Sequence, residues 1–288
     1  MNHILIAGGD KRNIHLAEIY AKNGFTVSVC GFDEDIVFSD NIQRCKDIKK
    51  TASLCDIIVL PLPASFDGIT ISTPYGNECV YIDDILSFAK KDALVCGGRI
   101  SKDLAEKYPF ITDYAKREDF AFFNSVPTAE GAIEAAMKES YKTLAGASCM
   151  ITGFGKCARA LALDLAALKA KVHIFARSAK DISHAQSLGF EAFNLTDLSQ
   201  MCGNYDLIFN TVPFGIFGKT EVDCILPSTL FIDIASAPGG IAEDALKTNL
   251  CYRFLPGLPG KYSPYSAAEI IKKVISAILL EKGKGALG

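Results

Sequence analysis

The stretch Met150-Ile151-Thr152-Gly153-Phe154-Gly155-Lys156-Cys157-Ala158 decides how the rest of the chain is read. An apolar run stops at a glycine turn, and the residues beyond it, as far as Leu168, carry apolar side chains at helical spacing. A strand that meets a helix through Gly-x-Gly-x-x-Ala opens a dinucleotide-binding βα unit. Gly153 permits the tight turn, Gly155 lets the backbone approach a pyrophosphate, and Ala158 keeps the helix close to the strand. The phosphates would rest on the helix N-terminus, where N–H groups without helical partners and the dipole favour an anion. Phe154, Lys156 and Cys157 belong to the same cofactor loop.

The end of the next strand selects the cofactor. An NAD site places Asp or Glu there for the ribose 2′-hydroxyl. This chain has Phe175-Ala176-Arg177-Ser178 instead. An arginine and a hydroxyl suit a 2′-phosphate through charge-assisted hydrogen bonds, so NADP is the expected cofactor. Asn210-Thr211-Val212-Pro213 follows a further strand and is expected beside the nicotinamide and its ribose. Asn210 either bonds the cofactor there or only forms a turn. Ala235, within Asp233-Ile234-Ala235-Ser236, ends another strand near the same position.

Outward from this loop the same alternation repeats. Upstream, Ile4–Ala7, Thr26–Cys30, Asp56–Leu60, Ala93–Cys96 and Phe120–Phe123 read as strands buried on both faces. Asn13–Asn23 and Tyr81–Lys90 read as helices, with Gly24 ending the first. Downstream, Cys149–Thr152, Val172–Ala176, Leu207–Asn210 and Leu230–Ile234 read as strands, and Lys156–Leu168, Lys180–Leu188 and Ile241–Thr248 as helices. The fold class is therefore α/β, with two Rossmann-like doubly wound parallel-sheet domains and an interdomain cleft. Residues 1–128 form an N-terminal flavodoxin/Rossmann-like substrate domain, rejoined by a C-terminal helix over 265–284, and residues 129–262 form the NADP-binding Rossmann domain. A helical run from Thr128 to Thr143 connects them, opening just after Pro127 and closed by Gly146. Leu255-Pro256-Gly257-Leu258-Pro259-Gly260-Lys261 is expected to form no regular structure. Ser266–Lys282 reads as a final amphipathic helix and Gly283–Gly288 as a loose tail.

Composition narrows the function. The chain has 288 residues, 49% of them hydrophobic, enough for two sizeable cores. A formal net charge of -3 without charge blocks argues against a nucleic-acid partner. No apolar run approaches the roughly 20 residues that span a bilayer. Asn2–Ala7 reads as a first strand rather than a signal peptide, so a cytoplasmic protein is expected. The ten cysteines form no C-x-x-C pair and read as buried, reduced thiols. No metal site is expected, because the four histidines are isolated from each other and from any cysteine pair.

Four loops of the first domain follow strands and face one rim. Gly8-Gly9-Asp10-Lys11-Arg12 opens the first helix, with Asp10 a natural cap, the Gly8-Gly9 turn a source of N–H donors and Arg12 a cation. Pro61-Leu62-Pro63, Gly97-Gly98-Arg99 and Asn124-Ser125-Val126-Pro127-Thr128 complete the set. Open α/β sheets bind ligands along that edge. Gly8, Gly9, Asp10, Arg12, Pro63, Arg99, Asn124, Ser125 and Thr128 are therefore the candidate substrate-binding residues.

Taken together, Gly8-Gly9-Asp10-x-Arg12, Pro61-Leu62-Pro63, Asn124-Ser125-Val126-Pro127-Thr128-Ala129-Glu130-Gly131-Ala132, Asn210-Thr211-Val212-Pro213 and Pro256-Gly257-Leu258-Pro259-Gly260-Lys261 resemble the family of dipicolinate synthase A subunits, nearly end to end. The resemblance implies oxidation of a dihydro- or tetrahydropyridine dicarboxylate, drawn from a branch of the lysine pathway, to pyridine-2,6-dicarboxylate, with NADP taking the hydride. It implies that the partner is the flavoprotein-like second subunit of dipicolinate synthase. It also implies a role in sporulation, in the mother cell's cytoplasm. A homo-oligomer is expected as well. Two carboxylates on the substrate call for cations, and Arg12, Arg99 and Lys261 are the candidates. Glu130 and Lys261 are the candidate catalytic groups, Glu130 either as proton acceptor or as a charge at a helix start.

Two other readings remain open from the residues. One is a different two-domain NADP-dependent dehydrogenase of small carboxylic acids. The nucleotide domain's only histidines, His173 in a strand and His184 in a helix, argue against the subclass that uses a His–carboxylate pair. The other is a non-catalytic or regulatory NADP-binding subunit that needs a partner for turnover.

Overall fold

The computed structural model describes residues 3–245 and 249–283. The chain divides into two compact units, residues 1–123 with 263–288 and residues 124–262.

The first unit runs β1 (His3–Ala7), α1 (Lys11–Lys22), β2 (Thr26–Cys30), β3 (Ile42–Arg44), α2 (Ile48–Leu54), β4 (Ile57–Val59), α3 (Ile82–Leu86), β5 (Leu94–Gly97), α4 (Lys102–Lys107) and β6 (Thr112–Asp113). Its strands are all parallel, in the order β3-β2-β1-β4-β5-β6. That is the Rossmann order, with its switch point between β1 and β4. Alternate side chains of β1 enter two cores. Ile4 and Ile6 meet Leu16 and Tyr20 of α1 on one face, and Leu5 and Ala7 meet Ala52, Ile85 and Leu104 on the other. Both faces are covered, which explains why the strand sequences are continuously apolar.

Helix α5 (Glu118–Glu139) contains the division between the units. The second unit continues with β7 (Ser148–Thr152), α6 (Lys156–Ala167), β8 (Lys171–Ala176), α7 (Ala179–Ser187), β9 (Glu191–Asn194), α8 (Leu198–Met201), β10 (Leu207–Asn210), α9 (Lys219–Cys224), β11 (Leu230–Asp233), β12 (Cys251–Phe254) and α10 (Leu258–Tyr262). Its sheet, β12-β11-β10-β7-β8-β9, repeats the Rossmann order with the switch point between β7 and β10. Cys149 and Ile151 pack with Leu161 and Leu165 of α6 and Ala132 of α5, while Met150 faces Phe175, Ile208 and Phe231. Helix α11 (Pro264–Glu281) belongs to the first unit and lies against α1, burying Ile271, Val274, Ile275 and Ile278.

Several segments depart from the sequence reading. Phe120–Phe123 is not a strand but part of α5, which starts ten residues before Thr128. Glu118 and Asp119 supply the acidic first turn that favours a helix start, and Asp119 accepts the Phe120 N–H. Phe120 is buried and Phe122 half-exposed, a pattern an aromatic run hides. Pro127 sits inside the helix, where it can donate no rung. Leu258–Tyr262 is helical, since Pro259 occupies the second helical position, where an N–H has no helical acceptor. The reading of Ile241–Thr248 as a helix gives way to a 3-10 turn over Glu243–Ala245, and residues 246–248 lie outside the described residues. The helix read over Tyr81–Lys90 shortens to Ile82–Leu86. The loose tail read over Gly283–Gly288 falls, beyond its first residue, outside the described residues. Strands β3, β6, β9 and β12 are short and partly exposed, which left no apolar run to read.

Gly9 has a φ of 103°, and a Cβ there would lie 2.4 Å from Asn13 Cγ. Gly24 has a φ of 84° with open space around it. Gly24→Ala is expected to cost about 1 kcal/mol from backbone strain alone. Gly9→Ala adds a collision and is expected to cost about 2–4 kcal/mol. Urea unfolding of the two variants checks the difference.

Candidate functional site

Gly153 turns at a φ of 85° and its N–H donates to Phe175 O at 2.7 Å. A Cβ at this position would lie 2.6 Å from Thr211 Oγ1, so only glycine brings the turn this close to the β10 loop. Gly155 caps α6, and a Cβ there would meet nothing within 4 Å. Helix α6 has neither a side-chain cap nor an acidic residue in its first turn. Open space, a twelve-residue helix and an uncapped N-terminus suit a pyrophosphate. Ala158 is fully buried against the sheet. The Phe154 side chain is buried edge-on to His184 and Phe190, so it anchors the loop from below, and only its backbone faces the turn. Cys157 lies near Thr128 of α5, and burial pushes its thiol up.

The strand ends beneath this loop are tied by a polar network. Thr152, Asn210 and Asp233 are the last residues of β7, β10 and β11, in register and fully buried. Thr152 Oγ1 donates to Asn210 Oδ1 at 2.6 Å, and Asn210 Nδ2 donates to Asp233 Oδ1 at 2.8 Å. Asp233 also accepts from the Ala235 N–H, the Gly240 N–H and Tyr252 Oη. Asn210 further accepts the Val212 N–H and donates to Val212 O. The Asn210 side chain therefore bonds protein groups throughout, as the second of its two readings, a turn-forming residue, requires. It shapes the loop that carries Thr211, Val212 and exposed Pro213. Ala235 is buried, held by Asp233. The signal for this network was three apolar runs that each end on one polar residue.

At the end of β8, Arg177 and Ser178 are both exposed. Ser178 Oγ caps α7 by accepting the Asp181 N–H, and it donates to Asp181 Oδ2 at 2.7 Å. Its hydroxyl is engaged in the cap, and exposed Arg177 precedes it in sequence.

In the first unit the rim is more self-contained than the sequence suggested. The Gly8 N–H donates to Cys30 O and the Gly9 N–H to Ser72 O, both at 2.8 Å. These two groups hold the loop together and are not the expected anion donors. Asp10 caps α1 by accepting the Arg12 N–H. The Arg12 guanidinium is buried, donating to both Asp10 oxygens and to Leu62 O at 2.8 Å. It braces the Pro61-Leu62-Pro63 loop from inside instead of presenting a free charge. Gly98 lies against Leu62, where a Cβ would come within 2.4 Å of Cδ1. Arg99 is exposed at a φ of 52°, its backbone N–H held by Asp113.

Asn124, Ser125 and Thr128 lie within α5, not at a strand end, because the helix already covers them. Ser125 and Thr128 are buried, and Thr128 Oγ1 donates to Asn124 O at 2.6 Å. Glu130 is exposed in mid-helix, so it does not mark a helix start. It shares a groove with Ile133, Glu134, Met137 and Asp164. Burial first, and Glu130 second, raise the Asp164 carboxyl above its ordinary value. Gly131 leaves room for α10, since a Cβ would lie 3.0 Å from Leu258 Cβ and 3.3 Å from the Tyr262 ring. The stretch Asn124–Ala132 thus packs on Pro256–Lys261, leaving Lys261 exposed beside it. Among the described residues no cluster of three or more His, Cys, Asp or Glu side chains is placed to hold a metal.

Asn210→Ala removes one donor from buried Asp233 and the acceptor of Thr152. The expected cost is about 3–5 kcal/mol, against about 1–3 kcal/mol for Tyr252→Phe. Urea unfolding followed in the second unit measures both.

Residues 3–109 match the family model for the N-terminal domain of the dipicolinate synthase A subunit. Residues 122–250 match the NAD-binding domain of D-isomer-specific 2-hydroxyacid dehydrogenases. The dipicolinate synthase A subunit of Bacillus subtilis (strain 168) is 29% identical over 285 residues, 96% of each chain. The crystal structure of the Bacillus subtilis dipicolinate synthase A chain superposes with a TM-score of 0.86 at 28% identity, covering 99% of this chain and 98% of that one. Its counterpart from Bacillus halodurans gives 0.86 at 27%, covering 96% and 97%. No described helix is long and apolar enough to cross a membrane. With two Rossmann-like units, the second of them a nicotinamide-dinucleotide domain of the dehydrogenase type, the chain is similar from end to end to dipicolinate synthase A subunits, the family its loop motifs resemble.

Proposed function

We propose that this chain is the NADP-dependent oxidoreductase subunit that converts a dihydro- or tetrahydropyridine dicarboxylate to pyridine-2,6-dicarboxylate, working with a second, flavoprotein-like subunit. The observation that carries the reading is the uncapped α6 N-terminus, open above Gly155, in a chain similar to a dipicolinate synthase A subunit over 96% of its length. Gly153, Gly155 and Lys156 would hold the pyrophosphate, Arg177 the 2′-phosphate, and the Thr211–Pro213 loop the nicotinamide side. The bound dinucleotide supplies the hydride acceptor. A dihydropyridine would become aromatic on losing one hydride to the dinucleotide and one proton from a neighbouring carbon, whereas a tetrahydropyridine would have to lose a second hydride, to a second dinucleotide, and a second proton. Exposed Arg99 and Lys261 are better placed than buried Arg12 to meet carboxylates. Glu130 and Lys261 are the candidate catalytic groups. By the same likeness, the role is in sporulation, in the mother cell.

One observation favours a second reading, in which the chain binds NADP but turns over only with its partner. Each histidine contacts a neighbour within its own unit. His3 bonds Ser28 Oγ at 2.8 Å, His173 bonds Tyr205 Oη at 2.9 Å, His184 lies edge-on to Phe154, and His15 edge-on to Tyr265. Two of the four thus have a ring nitrogen engaged by a hydroxyl, and histidine, the usual proton acceptor near neutral pH, is not among the candidate catalytic groups. NADPH production by the purified chain with substrate separates the two readings, being immediate under the first and dependent on addition of the second subunit under the other.

Cofactor choice is tested by fluorescence titration with NADPH and NADH. NADPH should bind roughly tenfold tighter or better, the value of one charge-assisted contact. Arg177→Ala should remove that preference and leave NADH affinity nearly unchanged. Equal affinities in the unaltered protein would count against NADP.

A further inference from the structure

The ten cysteines do not behave alike. Cys30, Cys55, Cys96, Cys149 and Cys202 are buried, Cys45, Cys157 and Cys251 are half-buried, and Cys79 and Cys224 are exposed. Three of them meet on one face of the first unit's sheet. Strands β2 and β3 pair in parallel with Val27 opposite Ile42, Ser28 opposite Gln43 and Val29 opposite Arg44. The next position in this register sets Cys30 opposite Cys45, and the Cys45 N–H continues the ladder by donating to Val29 O at 2.9 Å. Paired residues of neighbouring strands project to the same face, and both thiols join the core cluster that contains Cys55.

We propose that Cys30 and Cys45 are a dithiol site that forms a reversible disulfide with each other. Neighbouring strands stand about 4.8 Å apart, within the roughly 4.4–6.8 Å Cα separation that a disulfide spans. Cys30 is the last residue of β2 and Cys45 lies one residue past β3, so the pairing sits where the ladder ends and the backbone can adjust. The two thiols are close enough that each shifts the acidity of the other. The interaction with Cys30 first, against the opposing effect of burial, holds the Cys45 thiol below its ordinary value, while the same interaction and burial push Cys30 up. Burial pushes Cys55 up to about 12, which leaves it a bystander. Cys45, the more exposed of the two and the more acidic, is the attacking thiolate.

The co-reactant is a low-molecular-weight disulfide. The Cys45 thiolate attacks one of its sulfurs, forming a mixed disulfide and expelling one small thiolate. Cys30 gives up its proton and attacks Cys45 Sγ, expelling the second. Two protein thiols are oxidised to one disulfide, and the small disulfide is reduced to two thiols. The closed bridge would fasten the edge strand β3 to β2 beside the Gly8 N–H that donates to Cys30 O.

The test treats the folded, full-length chain with oxidised glutathione, quenches with acid, alkylates and maps peptides by mass spectrometry. The expected product is a Cys30–Cys45 cross-link lacking two hydrogens, reversed by dithiothreitol, while exposed Cys79 and Cys224 carry glutathione. Cys45→Ser should lower the yield of bridged Cys30 more than tenfold. Cys30→Ala, with an unchanged circular dichroism spectrum, should trap glutathione on Cys45. Glutathione stably bound to Cys45 in the unaltered chain with Cys30 still reduced would overturn the proposal. So would a Cys45–Cys55 link, or a Cys45 that stays unreacted while Cys79 and Cys224 react.

Discussion

The second unit is organised around a carboxylate taken out of water. Asp233, fully buried at the end of β11, accepts from Asn210 Nδ2, the Ala235 and Gly240 N–H groups and Tyr252 Oη. A buried charge without such donors costs several kcal/mol. Satisfying it draws β10, β12 and the turn after β11 toward one point. Asn210 passes the constraint on to Thr152 and to the Val212 backbone. Gly153 then sits directly above, close enough to Thr211 that a methyl group would collide. The open α6 N-terminus, which is the feature that suits a pyrophosphate, follows from that placement.

A second set of contacts supports the same loop from the side. The small residues Ala129, Gly131 and Ala132 let α5 approach α10 and the sheet, and Thr128 lies near the Cys157 thiol. These residues belong to the motifs that carry the family resemblance. Their burial shows that a distinctive sequence can reflect close packing as much as contact with substrate. In the first unit Arg12 has a comparable position. Paired with Asp10 and with Leu62 O, it holds one loop against another.

The architecture was legible because both sheets are covered on each face. Runs such as Ile4–Ala7 and Cys149–Ile151 are then apolar without interruption, and glycines mark the turns after them. The short edge strands β3, β6, β9 and β12 escaped, since exposed edges carry polar side chains. Residues Phe120–Phe123 were misread because aromatic residues favour strands in isolation, whereas α5 buries Phe120 and leaves Phe122 outside. The glycine loop was legible, because close backbone approach leaves a direct trace in sequence. Which side chains point inward was not. Asn210, Phe154 and Arg12 each look like ligand-binding groups in sequence and are fastened within the fold. Ser178 is spent on Asp181, and only the helix cap reveals it.

The central claim is that the Gly153–Ala158 turn, held over the Asp233 network, receives the dinucleotide. Amide hydrogen exchange with and without NADPH tests it most directly. Slowed exchange is expected at residues 153–159, where N–H groups of the turn and of the first turn of α6 would bond phosphate, and at 211–212. Unchanged exchange across residues 153–159, with protection appearing only in the first unit, would contradict it.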